Sequence, residues 1–445
     1  MPSFLRRMSP VRIILLVFIS ALWVGIGLLM LPVSYRPDHG SAFMEALFTA
    51  TSAICVTGLV TVDTGSHWTG FGQTVILVLI QIGGFGVMTL ASVIGLAVLG
   101  KMSLKSRLTA AVEVKQEGLH DLRHVVVGIA RATAVVEATV AVLLTLRLHH
   151  RDDLSWAAAI WHGVFHAISA FNNAGFALQE DSMSRYVGDP WVCLPVMAAI
   201  ILGGLGFPVL LQLRRFGLAR RRWSMNTHLV LRMTISLLVV SSVYILTLEW
   251  NNPATLGRLP WPQRILAGCF QAVQTRTAGF NSVDLGALHP ETWLGMDVFM
   301  FIGGGPAGTA GGIKVTTLAV LWFVIWSEIR GDAEVAISGR RLPRSVHRQA
   351  ITVALLALML VVAATVTLMI ATPWSLDAVL FEVVSAFGTV GLSTGITADL
   401  GVLSQVVLCG LMVVGRLGPI TFASALALRS RTRLYQLPSG RPIIG

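Results

Sequence analysis

A pattern that occurs four times in the 445 residues constrains the fold more than any other feature of this sequence. Each occurrence has a long apolar segment, a shorter apolar segment, a stretch around one glycine, and a second long apolar segment. The central glycines are Gly58, Gly175, Gly279 and Gly391, and consecutive ones lie 104 to 117 residues apart. Recurrence at a near-constant spacing predicts several copies of one structural unit.

Composition places these units in a membrane. Charged residues make up 12% of the chain and hydrophobic residues 54%, whereas about 25% of a soluble domain is charged. The long apolar segments reach the roughly 20 residues that a helix needs to cross a bilayer. The first comprises residues 11–32, and because no small-residue cleavage site follows it, we expect a retained helix rather than a signal peptide. The predicted fold class is an all-α integral membrane protein.

The four short segments are too short to cross a bilayer, because they have only 13 to 16 residues. We therefore expect each to enter the membrane and end midway, as a pore helix. Their partly negative C-terminal ends would then point to one centre and favour a cation there. The segments are residues 42–54, 156–171, 262–275 and 375–387.

A non-helical stretch is expected after each short segment. At membrane depth such backbone is tolerated only where it is buried in protein or lines a cavity. Four stretches around one axis would present rings of carbonyl oxygens that can replace the hydration shell of an alkali cation. The predicted filter consists of Cys55, Val56, Thr57, Gly58, Asn172, Asn173, Ala174, Gly175, Arg276, Thr277, Ala278, Gly279, Gly388, Thr389, Val390 and Gly391.

Other glycines have a simpler interpretation. Small residues allow helices in membranes to pack closely, and this role suits Gly83, Gly84, Gly86, Gly203 and Gly204. Close packing does not explain four equivalent glycines after four half-length helices, so the filter interpretation is preferred for those four.

Two features stand out within the last helices of the third and fourth units. Residues 303–312 contain six glycines and Pro306, so they cannot form a regular helix. They are expected to line a cavity or to kink the helix. Arg416 lies inside the last apolar run, where an arginine is costly and usually functional. The alternative for Arg416 is a structural charge whose partners are helix-end carbonyls.

These motifs resemble those of the Trk/Ktr/HKT superfamily of potassium transporters. The similarity is clearest in residues 171–176 (FNNAGF) and 274–280 (QTRTAGF). Residues 301–314 (FIGGGPAGTAGGIK) and 415–421 (GRLGPIT) are similar to the bacterial KtrB branch. The resemblance runs from about residue 11 to the last residue. It implies four helix–pore-helix–helix units around one central ion pathway, and potassium uptake across the cell membrane.

The resemblance also implies roles for particular residues. A glycine at each filter position accompanies potassium selectivity in this superfamily, and all four are glycine here. No Tyr-Gly follows each central glycine, so selectivity can be weaker than in a potassium channel. The implied gate beneath the filter comprises Gly303, Gly304, Gly305, Pro306, Ala307, Gly308, Thr309, Ala310, Gly311, Gly312 and Lys314, with Arg416 as its partner and electrostatic barrier.

The partners are likewise implied by the resemblance. They are a second copy of this chain in a homodimer, and a ring of separate cytoplasmic subunits of the KtrA type. The regulatory nucleotide is expected on those subunits and no cofactor on this chain, with K⁺ as the transported ion. No nucleic acid is expected, although the net charge is +11.

The distribution of charge predicts the topology. If each long apolar helix crosses once, 24 of the 33 basic residues fall on the side of the N-terminus, which is therefore cytoplasmic. They form clusters at residues 6–12, 101–131, 214–232, 330–348 and 429–441. The outer side is net negative, so it would attract cations. The predicted units are residues 1–100, 101–228, 229–343 with the gating loop 303–314, and 344–445 with the C-terminal tail.

Three alternatives remain open to the sequence. The first is a less selective sodium and potassium transporter, or an ion-coupled carrier. The second is a membrane-embedded hydrolase that uses Ser393 with His162 or His166, although packing suits this histidine pair better. The third concerns Glu137, a carboxylate at membrane depth that could pair with Arg131 or reach the lipid interface.

Overall fold

The structure is a computed structural model that describes residues 10–37, 42–100, 122–217, 219–332, 334–337 and 340–428. Within these ranges the chain is almost entirely helical, and a hairpin of Ala336–Ile337 with Arg340–Arg341 is the sheet structure. The prediction of an all-α fold is confirmed. The predicted basic cluster at residues 429–441 lies outside the described residues, as do residues 6–9 of the cluster at 6–12 and residues 101–121 of the cluster at 101–131.

The described ranges contain fourteen α-helices. In chain order they are α1 (Pro10–Leu29), α2 (Phe43–Cys55), α3 (Gly70–Gly100), α4 (Leu122–Asp152), α5 (Trp156–Phe171), α6 (Pro190–Leu205), α7 (Phe207–Phe216), α8 (Met225–Glu249), α9 (Trp261–Gln274), α10 (Pro290–Phe301), α11 (Val315–Arg330), α12 (Arg344–Ala371), α13 (Leu376–Gly388) and α14 (Val402–Leu428). The short helices α2, α5, α9 and α13 fall on the four segments expected to be pore helices, and each end differs by at most one residue.

Three of the described helices are long and apolar enough to cross a membrane, namely Val126–Asp152, Met225–Glu249 and Arg344–Ala371. Shorter apolar stretches occur in α1, α3 and α14. The exposed side chains of α12 include Leu355, Met359 and Ile370. A large exposed apolar surface of this kind is expected where a helix faces lipid.

Two of the long apolar stretches are broken. α10 ends and α11 begins on either side of residues 303–312, where the sequence predicted an interruption. The second break was not predicted. It lies between α6 and α7, which meet at 102°. Gly206 joins them with a φ of 90°, a conformation that glycine adopts without the strain of a side chain.

One buried carboxylate fixes the end of α8. Oε1 of Glu249 accepts hydrogen bonds from the backbone of His289 (2.9 Å) and the hydroxyl of Thr292 (2.5 Å). Oε2 accepts from Asn252 and Thr255, each at 2.7 Å. These donors come from the loop after α8 and from the start of α10. The carboxylate therefore joins the ends of two helices of the predicted third unit.

Replacing Glu249 with Gln should destabilise the protein, because an amide nitrogen would then face hydrogen-bond donors. We expect a loss of about 2 kcal/mol or more, measured as a lower melting temperature in detergent. Glu291→Gln is the matched control, since Glu291 is exposed at the start of α10, and its melting temperature should stay at the wild-type value. Equal melting temperatures for both variants would contradict the role of Glu249.

Candidate functional site

The backbone after each pore helix alternates between positive and negative φ. In each stretch a residue with positive φ is followed two positions later by a glycine with positive φ. The pairs are Val56 (56°) and Gly58 (93°), Asn173 (59°) and Gly175 (70°), Thr277 (65°) and Gly279 (77°), and Thr389 (49°) and Gly391 (92°). Non-glycine residues rarely adopt this conformation and it costs energy. The same strained geometry at four places therefore marks the four stretches as one kind of site.

The four central glycines lie against one another in a closed circle, which we call the glycine ring (Gly58, Gly175, Gly279 and Gly391). Each glycine faces the carbonyl oxygen of the residue that precedes the next glycine. The distances from an added Cβ atom to that oxygen are all too short for a side chain. They are 2.3 Å from Gly58 to Ala174 O, 2.8 Å from Gly175 to Ala278 O, 2.5 Å from Gly279 to Val390 O, and 2.1 Å from Gly391 to Thr57 O. Because the fourth returns to the first, the four stretches surround one axis. No side chain fits between them at these distances.

A cavity of about 280 Å³ opens onto the glycine ring from the side of the pore-helix N-termini. All four glycines of the ring line it, together with two acidic residues, Asp63 and Glu180. Carboxylates at a mouth with low-dielectric walls raise the local concentration of cations. The arrangement suits the approach of a small cation to the ring.

A serine of the pore helix supports the backbone of three of the four stretches, and in two of them it does so through the same pair of hydrogen bonds. The carbonyl of Ser52 accepts a hydrogen bond from Thr57 N (2.8 Å), and its hydroxyl accepts one from Gly58 N (3.0 Å). Ser385 makes the equivalent bonds to Val390 N (2.8 Å) and Gly391 N (3.1 Å). These serines were not among the predicted site residues, but each lies six residues before its ring glycine, which is a signal that the repeat comparison could have used.

The other two stretches use variants of this support. The carbonyl of Ser169 accepts from Ala174 N (2.7 Å), while its hydroxyl donates to Phe176 O (2.8 Å). In the third stretch Val273 occupies the serine position. The neighbouring Gln274 replaces the serine there, and its Oε1 accepts from Phe280 N (3.1 Å).

The predicted filter residues that precede each left-handed residue lie at the helix ends. Cys55 and Gly388 are the last residues of α2 and α13. The side chain of Asn172 donates to Gln81 Oε1 (2.9 Å) and Glu137 Oε1 (3.0 Å). The two roles considered for Glu137 are corrected by these contacts, because its carboxylate bonds to Asn172 of the predicted filter and to Gln81, not to Arg131.

The glycine loop, residues 303–314, is tied to the break between α6 and α7. The carbonyls of Gly203 and Gly204 accept from Thr309 N (3.1 Å) and Gly305 N (2.8 Å), and the carbonyl of Ala307 accepts from the first residue of α7 (3.1 Å). A Cβ at Gly203 would lie 1.9 Å from Phe171 O. Gly203 therefore allows close packing, as expected, and both glycines supply acceptors to the loop. The packing role predicted for Gly204 and Gly86 is not supported, because an added Cβ would lie 3.6 Å from Asn173 at Gly204 and would meet nothing within 4 Å at Gly86.

The glycine loop also reaches the filter stretches and α14. Thr309 Oγ1 donates to the side chain of Asn173 (2.9 Å). Arg416 is buried, and its guanidinium donates to the carbonyls of Thr309 and of Gly83, the latter at 3.4 Å. Lys314 Nζ donates to Ala310 O (2.5 Å). The predicted gate residues are thus brought together directly beside the predicted filter.

A family model described as "TrkH: Cation transport protein" matches residues 24–432 of the chain. The chain belongs to the TrkH family. Its relatives include the "Ktr system potassium uptake protein B" of Bacillus subtilis (strain 168), which is 37% identical over 99% of this chain and 97% of the relative. The protein of the same name from Vibrio alginolyticus is 38% identical over 98% and 94%. The "Potassium/sodium uptake protein NtpJ" of Enterococcus hirae is 34% identical over 96% and 94%.

A solved TrkH-family structure has the same fold. The "Crystal Structure of the Potassium Transporter TrkH from Vibrio parahaemolyticus" superimposes with a TM-score of 0.71 at 18% identity, and the match covers 95% of this chain and 86% of that one. Together with the family match, this confirms the resemblance inferred from the motifs. The chain is a helical membrane transporter.

The hydrolase alternative is wrong for this TrkH-family transporter. Ser393 Oγ donates to Glu382 Oε1 (2.7 Å) and lies 3.0 Å from Thr397 Oγ1. His166 bonds to the carbonyl of His162 (2.7 Å) and to the backbone of Leu178. In the described part of the chain the serine is therefore held by a carboxylate and a threonine, and no histidine activates it.

Replacing Ser52 with Ala should weaken discrimination between potassium and sodium. The change leaves the buried Gly58 N–H without its acceptor, which costs about 1–3 kcal/mol and loosens the ring. The ratio of rubidium uptake with and without competing sodium, measured in proteoliposomes, should fall. Ser241→Ala is the matched control, because that buried hydroxyl bonds only within its own helix. A Ser52 variant as selective as the control would argue against the support role.

Proposed function

We propose that this chain takes up potassium ions across the cell membrane along the axis of the glycine ring. The observation that carries the proposal is the closed circle of four glycines and four carbonyl oxygens. Carbonyl oxygens that replace the hydration shell are how membrane pores select an alkali cation. Two of the relatives are named potassium uptake proteins, which supports potassium as the transported ion.

The sixteen residues predicted as the filter are proposed to bind the ion. The main support is the alternation of positive φ, because it lets successive carbonyls of one stretch turn to the same side. Asn172 and Arg276 are proposed to contribute through their backbone only. Their side chains bond elsewhere, Asn172 to Gln81 and Glu137, and Arg276 to Ile302 O (3.0 Å).

The glycine loop and Arg416 are proposed to gate the pathway beneath the ring. The loop contacts Asn173 of the second stretch through Thr309. A Cβ at Gly311 would lie 2.1 Å from Thr389 Oγ1 of the fourth stretch. The guanidinium of Arg416 holds the loop in this position and places a positive charge near the path. Moving the loop away would therefore remove an obstruction and an electrostatic barrier together.

The wider assembly is proposed from the charge distribution and the resemblance. The cytoplasmic side is the one with the basic clusters, so both termini would be cytoplasmic in the cell membrane. A homodimer would carry one pathway in each subunit. Separate KtrA-like subunits would bind the regulatory nucleotide and act on the gate from below. Two relatives are named as parts of a Ktr system, which supports additional subunits.

The function is tested by rubidium uptake into proteoliposomes with potassium, sodium or caesium as competitor. Potassium should compete best. Gly58→Ser should lower the preference for potassium over sodium by about tenfold, which corresponds to about 1.4 kcal/mol, because the new side chain would press on Ala174 O. Gly395→Ser is the matched control: its φ is 102°, yet nothing lies within 4 Å of the added atom.

Three outcomes of this experiment are distinct. Equal competition by every cation would refute selective potassium uptake. Equal competition by sodium and potassium alone would favour the less selective alternative, in keeping with the name of the Enterococcus hirae relative. If Gly58→Ser and Gly395→Ser behave alike, the ring does not determine selectivity.

Deleting residues 304–311 should raise the uptake rate several-fold. Ile302 and Ile313 lie side by side as a parallel bridge, so the segments to be joined run in the same direction, and melting temperatures must show that the shortened chain still folds. Arg416→Gln should raise uptake by a smaller factor, because it removes the charge and weakens the hold on the loop. The measurement is the initial rate of rubidium uptake at equal protein density.

Arg330→Gln is the control for the charge change, because Arg330 is exposed at the end of α11. Its uptake rate should equal that of the wild type. Melting temperatures check that each variant is folded. A folded deletion variant with unchanged or lower uptake would exclude the gate assignment.

A further inference from the structure

A pocket of about 400 Å³ lies between α4, α6 and the start of α9, away from the proposed ion pathway. Three arginines, Arg147, Arg151 and Arg185, line it together with Asp189 and Gln263. The predicted topology places six arginines on the outer, net negative side, and three of them meet at this one place. The six are Arg36, Arg147, Arg151, Arg185, Arg258 and Arg264. A partly exposed cluster of arginines is unexpected on a net negative side, and it is a candidate site for an anion.

Asp189 organises two of the arginines. It is buried and caps α6 by accepting a hydrogen bond from Trp191 N (3.0 Å). Its Oδ2 atom accepts from Arg147 Nε and from Arg151 Nη1, both at 2.8 Å. The lining of the pocket therefore holds three guanidinium groups and one carboxylate. Outside the lining, Asp152 lies 4.0 Å from Arg151 and Asp181 lies 3.5 Å from Arg185.

Donors remain available in the pocket. Arg147 bonds to Asp189 through Nε, and Arg185 meets Asp181 through Nε at 3.5 Å. Among the described residues no hydrogen bond involves the terminal amino groups of these two side chains, which are 39% and 56% exposed. The planar fork of a guanidinium matches the oxygens of a phosphate.

The position of the pocket favours the phosphate of a lipid headgroup over a free phosphate ion. Trp191 and Trp261 begin α6 and α9 beside it and are 67% and 68% exposed. Exposed tryptophans of membrane helices lie at the level of the lipid headgroups. A lipid phosphate is held at that level at high local concentration, whereas a free anion would have to approach a face of net negative charge.

We propose that this pocket binds the phosphate of an anionic membrane phospholipid. Basic pockets between membrane helices are known sites for anionic headgroups. The bound lipid would join two predicted units, since α4 and α6 belong to the second and α9 to the third. The two already touch here, because a Cβ at Gly188 would lie 2.6 Å from the side chain of Gln263.

The test measures the melting temperature of delipidated protein in detergent with added phosphatidylglycerol, phosphatidylcholine or inorganic phosphate. Phosphatidylglycerol should raise the melting temperature of the wild type more than phosphatidylcholine does, and inorganic phosphate should have little effect. The variant Arg147→Gln with Arg185→Gln should bind phosphatidylglycerol about tenfold more weakly. Arg258→Gln, a change at an exposed arginine outside the pocket, should respond as the wild type.

Each other result counts against the proposal. Equal stabilisation of the double variant and the wild type by phosphatidylglycerol would overturn it, as would equal effects of the two lipids. A full effect of inorganic phosphate would show a free-ion site instead. If the double variant is unfolded, Arg185→Gln alone decides, because Arg185 does not bond to the carboxylate of Asp189 and its loss leaves that cap intact.

Discussion

The close approach of four glycines to four carbonyl oxygens is the contact on which the rest of the fold depends. Each approach would be blocked by a single Cβ atom, so the pore helices must deliver their C-terminal ends to within a few tenths of an ångström of fixed positions. Glycines in the following helices permit this. Cβ atoms at Gly83, Gly203 and Gly415 would lie 1.8 to 1.9 Å from the carbonyls of Ile54, Phe171 and Phe387, which are near or at the ends of three pore helices. Packing in this protein is therefore set by backbone against backbone, as is usual where lipid removes the hydrophobic drive between helices.

The strained stretches are stable because their hydrogen-bonding groups are satisfied from behind. Ser52 and Ser385 accept from the ring glycines and from the residue before each, so a buried N–H in an unusual conformation still has an acceptor. The buried carboxylate of Glu382 stabilises the residues that follow the fourth stretch. It accepts hydrogen bonds from Ser393, Thr397 and the backbone of Thr394. In the proposed filter, these partners leave the carbonyl oxygens of the two stretches free to face the ion.

Much of this arrangement could be predicted from the sequence. The parts that were not predicted have two causes. The ring glycines, the pore helices and the break at residues 303–312 follow from local rules: spacing, length and the exclusion of glycine and proline from helices. The break at Gly206 was missed because Gly203 and Gly204 were interpreted as packing glycines, although Gly206 and Pro208 follow in the same apolar run. The partners of Glu137 were missed because Asn172 and Gln81 lie 35 and 56 residues away from it along the chain. Contacts of this kind depend on which helices become neighbours, and no periodicity in one segment carries that information.

The third unit shows how a broken helix can exist at membrane depth. Its loop has carbonyls that no helix satisfies, and unpaired carbonyls cannot remain in a lipid environment. Three basic residues of the predicted membrane region donate to the loop or to the residue before it: Arg276 to Ile302, Lys314 to Ala310, and Arg416 to Thr309. The charges that make these residues costly in a bilayer are thus the groups that stabilise the loop. If the loop gates the pathway as proposed, the same three residues set both the stability of the loop and the positive potential that a cation would meet there, so loosening the loop would also change that potential.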